Sequence, residues 1–226
     1  MTLPAGFVYL SDIDPSIKKS LRYCGDCNFL GTIVDGYINE TVILTNKAAQ
    51  LLTQIQQKIA HDGYGLVIYD SYRPQMAVDH FLRWSLDVKD QRTKSWFYPN
   101  IDKTRVFELG YMSKRSSHTR GSTVDLTLIK LGEELRDPVP QPRIMLDGSQ
   151  IVFLDDGTVD MGSSFDLLDQ ASHYENNLIA DKYKLRRNYL KQIMVDHGFK
   201  PYSKEWWHFS LENEPFPDIF FNFPVE

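Results

Sequence analysis

Two short stretches of the chain carry side chains that a metal centre needs. The segment 116–125 contains His118 and Asp125, and a second segment near the C-terminus contains Glu205 and His208. A hydrolytic zinc site uses three protein ligands with nitrogen or oxygen atoms and keeps one position open for water. The residue types therefore predict that His118, Asp125 and His208 bind one zinc ion per chain.

The seven-residue spacing between His118 and Asp125 requires a turn if both are to reach one metal ion. In one continuous strand, an odd offset would place the two side chains on opposite faces. Gly121 lies between them and can adopt backbone angles that turn the chain, so the two ligands are predicted to converge. On spacing alone, structural histidines remain the alternative, and His173 is the most plausible substitute ligand.

Glu205 is the candidate general base of this site. It precedes His208 by three residues, so a regular strand would place the two side chains on opposite faces. We predict a turn at 203–204, with Glu205 just before the strand begins. An exposed glutamate is the alternative interpretation.

Arg73 lies where a buried strand is predicted to meet a helix. Residues 66–69 form a short apolar run between breakers, which is typical of a buried strand. Pro74 fits the first position of a following helix. Because loops at such junctions often carry functional residues, Arg73 is a candidate site residue, with a surface arginine as the alternative.

Hydrophobic periodicity predicts the helices that must position these residues. A helix is predicted over 46–62 with Thr45 as its N-cap. The helix from Pro74 has a predicted apolar face of Ala77, Phe81, Trp84 and Val88. The helix over 178–197 has a predicted buried face of Leu178, Leu185, Tyr189, Ile193 and His197.

The strands predict an α+β fold with a small, mainly antiparallel sheet flanked by helices. Residues 123–128 alternate between apolar and polar side chains, which predicts a half-buried strand with Asp125 on its polar side. Residues 199–202 and 206–211 predict a final strand pair. Helices and strands do not alternate as regular βαβ units, so a doubly wound α/β fold is disfavoured.

Composition limits the classes of partner. The chain has 226 residues, 42% hydrophobic content and a formal net charge of −5. This size suits a single domain over 1–226. The prolines and glycines of 130–160 predict a surface excursion with a hairpin around 151–153 and Asp156-Gly157. The scattered basic residues argue against nucleic-acid and membrane partners, and a homo-oligomer stays open.

No signal peptide is visible, so we expect a cytoplasmic protein, or a periplasmic one if a signal was removed.

The two cysteines, Cys24 and Cys27, have the spacing of a redox pair or of half a zinc knuckle. A four-cysteine zinc site would need two further thiols. A thioredoxin-like motif should lie between a strand and a helix, whereas the surrounding residues are typical of a loop. We interpret them as reduced, incidental thiols.

The pattern Ser-x-His-x-x-Gly-x-x-x-Asp at 116–125, with Glu-x-x-His at 205–208, resembles the zinc D,D-peptidases related to the hedgehog fold. More narrowly, the chain resembles the VanX-type D-alanyl-D-alanine dipeptidases. The matching segments run nearly end to end and include Asp35-Gly36-Tyr37, Tyr72-Arg73-Pro74, 98–102, 161–166 and 223–225. The resemblance implies zinc-dependent hydrolysis of a small D,D-dipeptide.

The resemblance implies roles for five residues of the reaction centre. His118, Asp125 and His208 match the zinc ligands. Glu205 matches the catalytic base, and Arg73 matches the arginine that stabilises the tetrahedral intermediate.

Three further residues match positions that bind the substrate. Ser116 matches a residue near the substrate carboxylate, while Tyr23 and Asp166 match residues near its free amine. Asp166 at the ammonium would leave no room for a longer chain, which implies a dipeptidase. Thr123 departs from the alanine usual in the broader pattern, and the insertion at 133–157 is absent from the shortest relatives.

Two other functions stay open on the sequence. The same metal set would serve a zinc D,D-carboxypeptidase or endopeptidase that acts on longer peptidoglycan stem peptides. A non-catalytic, zinc-stabilised binding module is the other, although Glu205 and Arg73 argue against it.

Overall fold

A five-stranded sheet runs through the protein, and the computed structural model describes residues 2–226. The strands are β1 (Phe7–Tyr9), β2 (Lys18–Lys19), β3 (Ile43–Thr45), β4 (Tyr64–Asp70), β5 (Thr123–Lys130), β6 (Val139–Ile144), β7 (Gln150–Asp155), β8 (Phe199–Tyr202) and β9 (Glu205–Leu211). The α-helices are α1 (Leu10–Ile13), α2 (Asn46–Ala60), α3 (Gln75–Leu86), α4 (Lys94–Phe97) and α5 (Asp181–Asp196). Short 3-10 helices lie at Arg22–Cys24, Lys103–Arg105, Ser117–Arg120 and Gln170–Ser172.

The strand order in the sheet is β2-β4-β5-β9-β8. Only β2 pairs in parallel, with β4, and the other neighbours in this sheet are antiparallel. Helix α2 packs against β4, and α5 packs against β8 and β9. This arrangement confirms the predicted α+β fold with a mainly antiparallel sheet. The single-domain organisation stays a prediction, and the largest hydrophobic core includes residues from Phe7 to Val225.

Strand β5 lies at the centre of the sheet and is more deeply buried than its alternating pattern predicted. Every residue from 123 to 129 is buried, so the prediction of a half-buried strand is wrong. Its polar residues face other parts of the chain instead of solvent. The Thr123 hydroxyl, for example, shares a hydrogen bond of 2.8 Å with the Ser210 hydroxyl on β9.

The first two long helices agree closely with the sequence. Thr45 is the N-cap of α2, although its hydroxyl hydrogen bonds to Ser122 at 2.7 Å instead of capping the helix. Pro74 is the N-cap of α3 and not its first residue, because its ψ of 154° is extended. The predicted face of α3 is buried except for Val88, which lies beyond the helix end and is exposed.

The predicted buried face of α5 is confirmed at Ile193 but wrong at Leu185. Leu185 is 70% exposed, whereas Arg187 is only 1% exposed and points into the interior with Leu190, Ile193 and Met194. A search for apolar periodicity cannot select this orientation, because the inward face carries a charged residue.

Arg187 organises the loop that follows the hairpin. Its guanidinium donates to the carbonyl oxygens of Met161 at 2.7 Å, Ala171 at 2.9 Å and His173 at 2.9 Å, and to the Ser163 hydroxyl at 3.0 Å. Burial lowers the pKa of Arg187 to about 9. The segment 161–173 is therefore wrapped around one buried cation.

The residues 133–157 form a surface hairpin of β6 and β7 with its turn at 145–149. The hairpin predicted around 151–153 is confirmed, because these residues lie in β7, whereas Asp156-Gly157 follow β7 and do not form its turn. Asp156 is buried and accepts a hydrogen bond from the Tyr69 hydroxyl at 2.7 Å, and it also pairs with Arg22. The base of the hairpin is thereby bound to the end of β4.

Both cysteines are free and partly buried. Burial raises the pKa of the Cys24 thiol to about 12, which disfavours the nucleophilic thiolate. Among residues 2–226, none of the helices combines the length and apolar character required to cross a bilayer.

Replacement of Arg187 by alanine should destabilise the protein strongly. Buried carbonyl oxygens that lose their donor typically cost about 1–3 kcal/mol each, so we expect a loss of about 3 kcal/mol or more in the free energy of unfolding. Denaturant unfolding measures this quantity. The control is Arg186→Ala on the same helix, where a half-buried arginine donates to the Asp160 carbonyl and a loss below about 1 kcal/mol is expected. Equal losses in the two variants would contradict the assignment.

Candidate metal centre and active site

Gly121 turns the chain as the ligand spacing required. The 3-10 helix Ser117–Arg120 presents His118 and ends at Gly121, whose φ of 83° lies in the left-handed region. A Cβ atom at this position would lie 2.2 Å from the ring of Phe7, so the glycine also permits a close approach. After the turn, Asp125 lies on β5 directly opposite His208 on β9. Two of the three predicted ligands are thus a cross-strand pair.

The three predicted ligand side chains converge on one point. His118 Nε2 lies 3.2 Å from His208 Nδ1 and 3.2 Å from Asp125 Oδ2, and His208 Nδ1 lies 3.1 Å from Asp125 Oδ1. Tetrahedral zinc with bonds of about 2.0–2.1 Å separates its ligand atoms by roughly 3.3 Å. The spacing of the cluster therefore fits a tetrahedral zinc ion.

The hydrogen bonds of the cluster leave metal-binding lone pairs on its inner side. His118 Nδ1 donates to the Ser71 carbonyl at 2.7 Å, which leaves Nε2 unprotonated and aimed at the other ligands. His208 Nε2 lies 3.4 Å from the Ser117 hydroxyl, on the side away from the cluster. Asp125 Oδ1 is buried, and none of residues 2–226 donates a well-oriented hydrogen bond to it, although His208 Nδ1 lies 3.1 Å away. Such an orphaned buried oxygen is expected where a metal ion binds.

The electrostatics of the cluster favour the ligand forms of its side chains. Burial alone would raise the pKa of Asp125, but the adjacent His118 and His208 lower it well below its usual range. Burial lowers the pKa of His208. An ionised carboxylate and neutral imidazole nitrogen are the protonation states that coordinate zinc.

Glu205 is the first residue of β9 and follows a turn at 203–204, as predicted, although it belongs to the strand itself. The β8–β9 register shifts between Pro201 and Tyr202, so strict alternation fails here and Glu205 lines the same cavity as His208. Its Oε2 lies 3.5 Å from His208 Nδ1. Burial, together with the carboxylates of Asp125 and Asp166, raises the pKa of Glu205 well above its usual value. A raised pKa suits a group that must accept a proton near neutral pH.

Arg73 is held beside the ligand cluster by two carboxylates. Its Nε donates to Asp70 Oδ2 at 2.9 Å, and its second contact is 3.3 Å to Asp125 Oδ2. The guanidinium also stacks on the rings of Tyr23 at 5.3 Å and Phe81 at 5.1 Å. It is therefore a fixed cation of the site and not a surface arginine.

Asp70 is a member of the site that the sequence reasoning missed. It is 1% exposed, accepts a hydrogen bond from the Tyr37 hydroxyl at 2.7 Å, and pairs with Asp125 in the β4–β5 register. Burial raises the pKa of Asp70, while Arg73 and His118 lower it. The sequence does offer one indication of this role. Asp70 follows the predicted strand 66–69 directly and precedes Arg73 by three residues, so it lies at the same strand-to-helix junction.

The residues that match substrate-binding positions surround the same centre. The Tyr23 hydroxyl donates to Asp166 Oδ2 at 2.9 Å, and burial, with nearby Asp125, raises the pKa of Asp166 well above its usual value. Asp166 has a left-handed φ of 61°, which marks a strained position that the surrounding structure must enforce. Ser116 caps the 3-10 helix, and its hydroxyl accepts the His118 backbone N–H at 3.3 Å.

One cavity of about 450 Å³ is lined by all eight predicted site residues. His173 is not in this lining and hydrogen bonds to the Tyr111 hydroxyl at 3.0 Å. The cavity also contains cations that the sequence reasoning did not select, Arg115 and Arg120. The arrangement combines a metal-ligand cluster, a carboxyl group, an arginine and a buried acid in one space.

Comparisons with known proteins agree with one another. The Peptidase_M15 family, described as D-ala-D-ala dipeptidase, matches residues 4–136 and 150–226. A D-alanyl-D-alanine dipeptidase of Enterococcus faecium is 37% identical over 221 residues, which covers 98% of each chain. The protein of that name from Escherichia coli strain K12 is 29% identical over 205 residues, covering 90% of this chain and 83% of that protein.

Among solved structures, a mutant of the vancomycin resistance D,D-pentapeptidase VanY in complex with Zn(II) is similar. The TM-score is 0.40 at 12% sequence identity, over 77% of this chain and 76% of that one.

Replacement of Gly121 by alanine should disturb both folding and metal binding. A left-handed alanine costs about 1–2 kcal/mol, and the contact with Phe7 adds about 1–3 kcal/mol of overpacking. The matched control is Gly132→Ala, because Gly132 has a φ of 90° but nothing within 4 Å of a new Cβ. Denaturant unfolding and zinc content measure the two effects. If both variants lose the same stability and retain zinc, the close approach at Gly121 does not matter.

Proposed function

The chain belongs to the Peptidase_M15 family of D-Ala-D-Ala dipeptidases, and we propose that its 450 Å³ cavity is where D-alanyl-D-alanine is hydrolysed to two D-alanines. The observation that carries this proposal is the convergence of His118, Asp125 and His208 within 4.8 Å of one another in a cavity that also holds Glu205 and Arg73.

His118, Asp125 and His208 would hold one zinc ion per chain. Zinc in such a site lowers the pKa of a water ligand to about 7 and polarises the scissile carbonyl. The chain supplies two further fixed features. The Ser71 carbonyl sets the tautomer of His118, and the cross-strand pairing of Asp125 with His208 sets the distance between those two ligands.

Glu205 accepts the proton of the attacking water and then donates it to the leaving amine. Its raised pKa keeps the protonated form accessible, which the second transfer requires. Arg73 provides a positive charge for the oxyanion that develops on the scissile carbonyl. Because Asp70 and the rings of Tyr23 and Phe81 already hold this guanidinium, it does not have to reorganise during the reaction.

Asp166 and Tyr23 bind the free ammonium group of the substrate. Asp166 is 5% exposed, so an ammonium that pairs with it must lie at the inner end of the cavity. A longer peptide would have to place an amide and another residue where this carboxylate lies. Ser116 is placed to bind the carboxylate at the other end of the dipeptide. These positions favour a dipeptidase over a carboxypeptidase or endopeptidase that acts on longer stem peptides.

Replacement of Glu205 by glutamine should abolish most turnover and leave zinc binding intact. Loss of a general acid–base group typically costs about 10²–10⁴ in rate. The assay compares D-alanyl-D-alanine hydrolysis and zinc content in the wild type and Glu205→Gln. The control is Glu212→Gln, which changes an exposed glutamate just beyond β9. Undiminished turnover in Glu205→Gln, or a wild-type protein that binds no zinc, would refute the mechanism.

Replacement of Asp166 by asparagine tests how the enzyme limits substrate length. Asparagine tolerates the left-handed backbone of this position, so the variant removes the charge without adding strain. A lost charge-assisted hydrogen bond of about 1.5–3 kcal/mol should lower kcat/KM for D-alanyl-D-alanine about 10- to 100-fold. N-acetyl-D-alanyl-D-alanine lacks the ammonium group, and its kcat/KM should not fall. A parallel fall for both substrates would place Asp166 outside ammonium recognition.

A further inference from the structure

Two arginines on the cavity wall share one aromatic neighbour. The guanidinium carbon of Arg115 lies 4.2 Å from the ring centroid of Phe220, and that of Arg120 lies 5.6 Å from the same centroid. Both side chains line the cavity. Stacking on an aromatic face fixes a guanidinium and leaves its N–H edge free to bind an anion.

The charges of the two arginines are balanced differently. Arg120 Nε and Nη2 lie 2.8 and 2.7 Å from Glu214 Oε1, so Glu214 occupies this edge of the guanidinium, and the side chain of Glu214 is only 9% exposed. Arg115 is exposed and forms no ion pair within the described part of the chain. This part of the cavity wall therefore carries a net positive charge.

Arg73, the third arginine of the cavity, is already paired with carboxylates of the protein. Arg73 Nε donates to Asp70 at 2.9 Å, and its guanidinium lies 3.3 Å from Asp125 at the ligand cluster. A substrate carboxylate that enters the cavity therefore finds unpaired positive charge at Arg115, while Arg120 offers only the N–H groups that do not face Glu214.

Ser116 follows Arg115 directly in the chain and has a free donor. Its hydroxyl oxygen accepts the His118 backbone N–H at 3.3 Å, which leaves the hydroxyl proton available. A carboxylate can accept two parallel hydrogen bonds from a guanidinium and a further one from a hydroxyl. We propose that Arg115 and Arg120, positioned by Phe220, bind the free terminal carboxylate of the substrate beside Ser116.

This inference rests on the proposed function and deepens it. Asp166 and Tyr23 provide an anionic end for the substrate ammonium, and the two arginines provide a cationic end for its carboxylate. A zwitterionic dipeptide matches both ends. The arginines thus select peptides that end one residue beyond the cleaved bond, and they reject a terminal amide.

The test compares D-alanyl-D-alanine with D-alanyl-D-alanine amide, which lacks the carboxylate charge. Arg115→Gln should raise KM for the free dipeptide about 10- to 100-fold, because a charge-assisted hydrogen bond is lost. Its kcat, and both parameters for the amide, should stay within about twofold. The double variant Arg120→Gln with Glu214→Gln should act in the same direction, and it avoids leaving Glu214 as an unpaired buried charge.

Binding is also measured without turnover. Calorimetric titration of zinc-loaded Glu205→Gln protein with each dipeptide gives Kd directly, and adding Arg115→Gln should weaken binding of the free dipeptide alone. In one outcome, the free dipeptide binds with the expected dependence on Arg115 and yet is not hydrolysed by the wild type. That result would refute the proposed function but not the inference about the carboxylate.

The matched control is Arg105→Gln, which removes the same charge from an exposed arginine that pairs with Glu108 outside the cavity. It should leave KM and Kd for both dipeptides unchanged. The proposal is wrong if Arg115→Gln weakens both dipeptides equally, if it weakens neither, or if Arg105→Gln has the same effect. Thermal unfolding should show that all variants remain folded.

Discussion

The buried carboxylate of Asp125 is the charge on which the rest of the site depends. It is 2% exposed at the centre of the sheet, where an unpaired carboxylate would be very costly. Its neighbours His118, His208 and Arg73 lie within 3.1 to 3.3 Å and lower that cost. Because the three come from three different segments, the position of Asp125 constrains all of them.

The constraint continues outward through a second layer of contacts. Arg73 is also paired with Asp70, and Asp70 in turn accepts a hydrogen bond from the Tyr37 hydroxyl. On another side, the segment that carries Asp166 is wrapped around Arg187. Buried polar groups stabilise a unique arrangement only when each has its partner. These contacts both hold the side chains of the site in place and compensate their buried charges.

The carboxyl groups of the cavity differ in their pKa values although they are chemically alike. Asp125, Glu205 and Asp166 are all buried carboxyl groups, but two imidazoles lower the pKa of Asp125, whereas burial and like charge raise those of Glu205 and Asp166. Such a separation of pKa values between neighbouring carboxyl groups suits the proposed roles, in which Asp125 is a ligand and Glu205 exchanges protons. The difference in pKa follows from the neighbours of each acid, because Asp125 contacts both imidazoles whereas burial and nearby carboxylates dominate at Glu205 and Asp166.

The sequence by itself determined the ligand types, the turn at Gly121, the helix after Thr45 and the strands that carry Asp125 and His208. These features follow from local backbone preferences and from periodicity within one element. Only the tertiary structure decided that β5 is buried on both faces, that α5 turns Arg187 inward, and that Asp70 supports Arg73. Periodicity relates side chains along one element, whereas these outcomes depend on which elements pack together and on where a buried charge finds its partners.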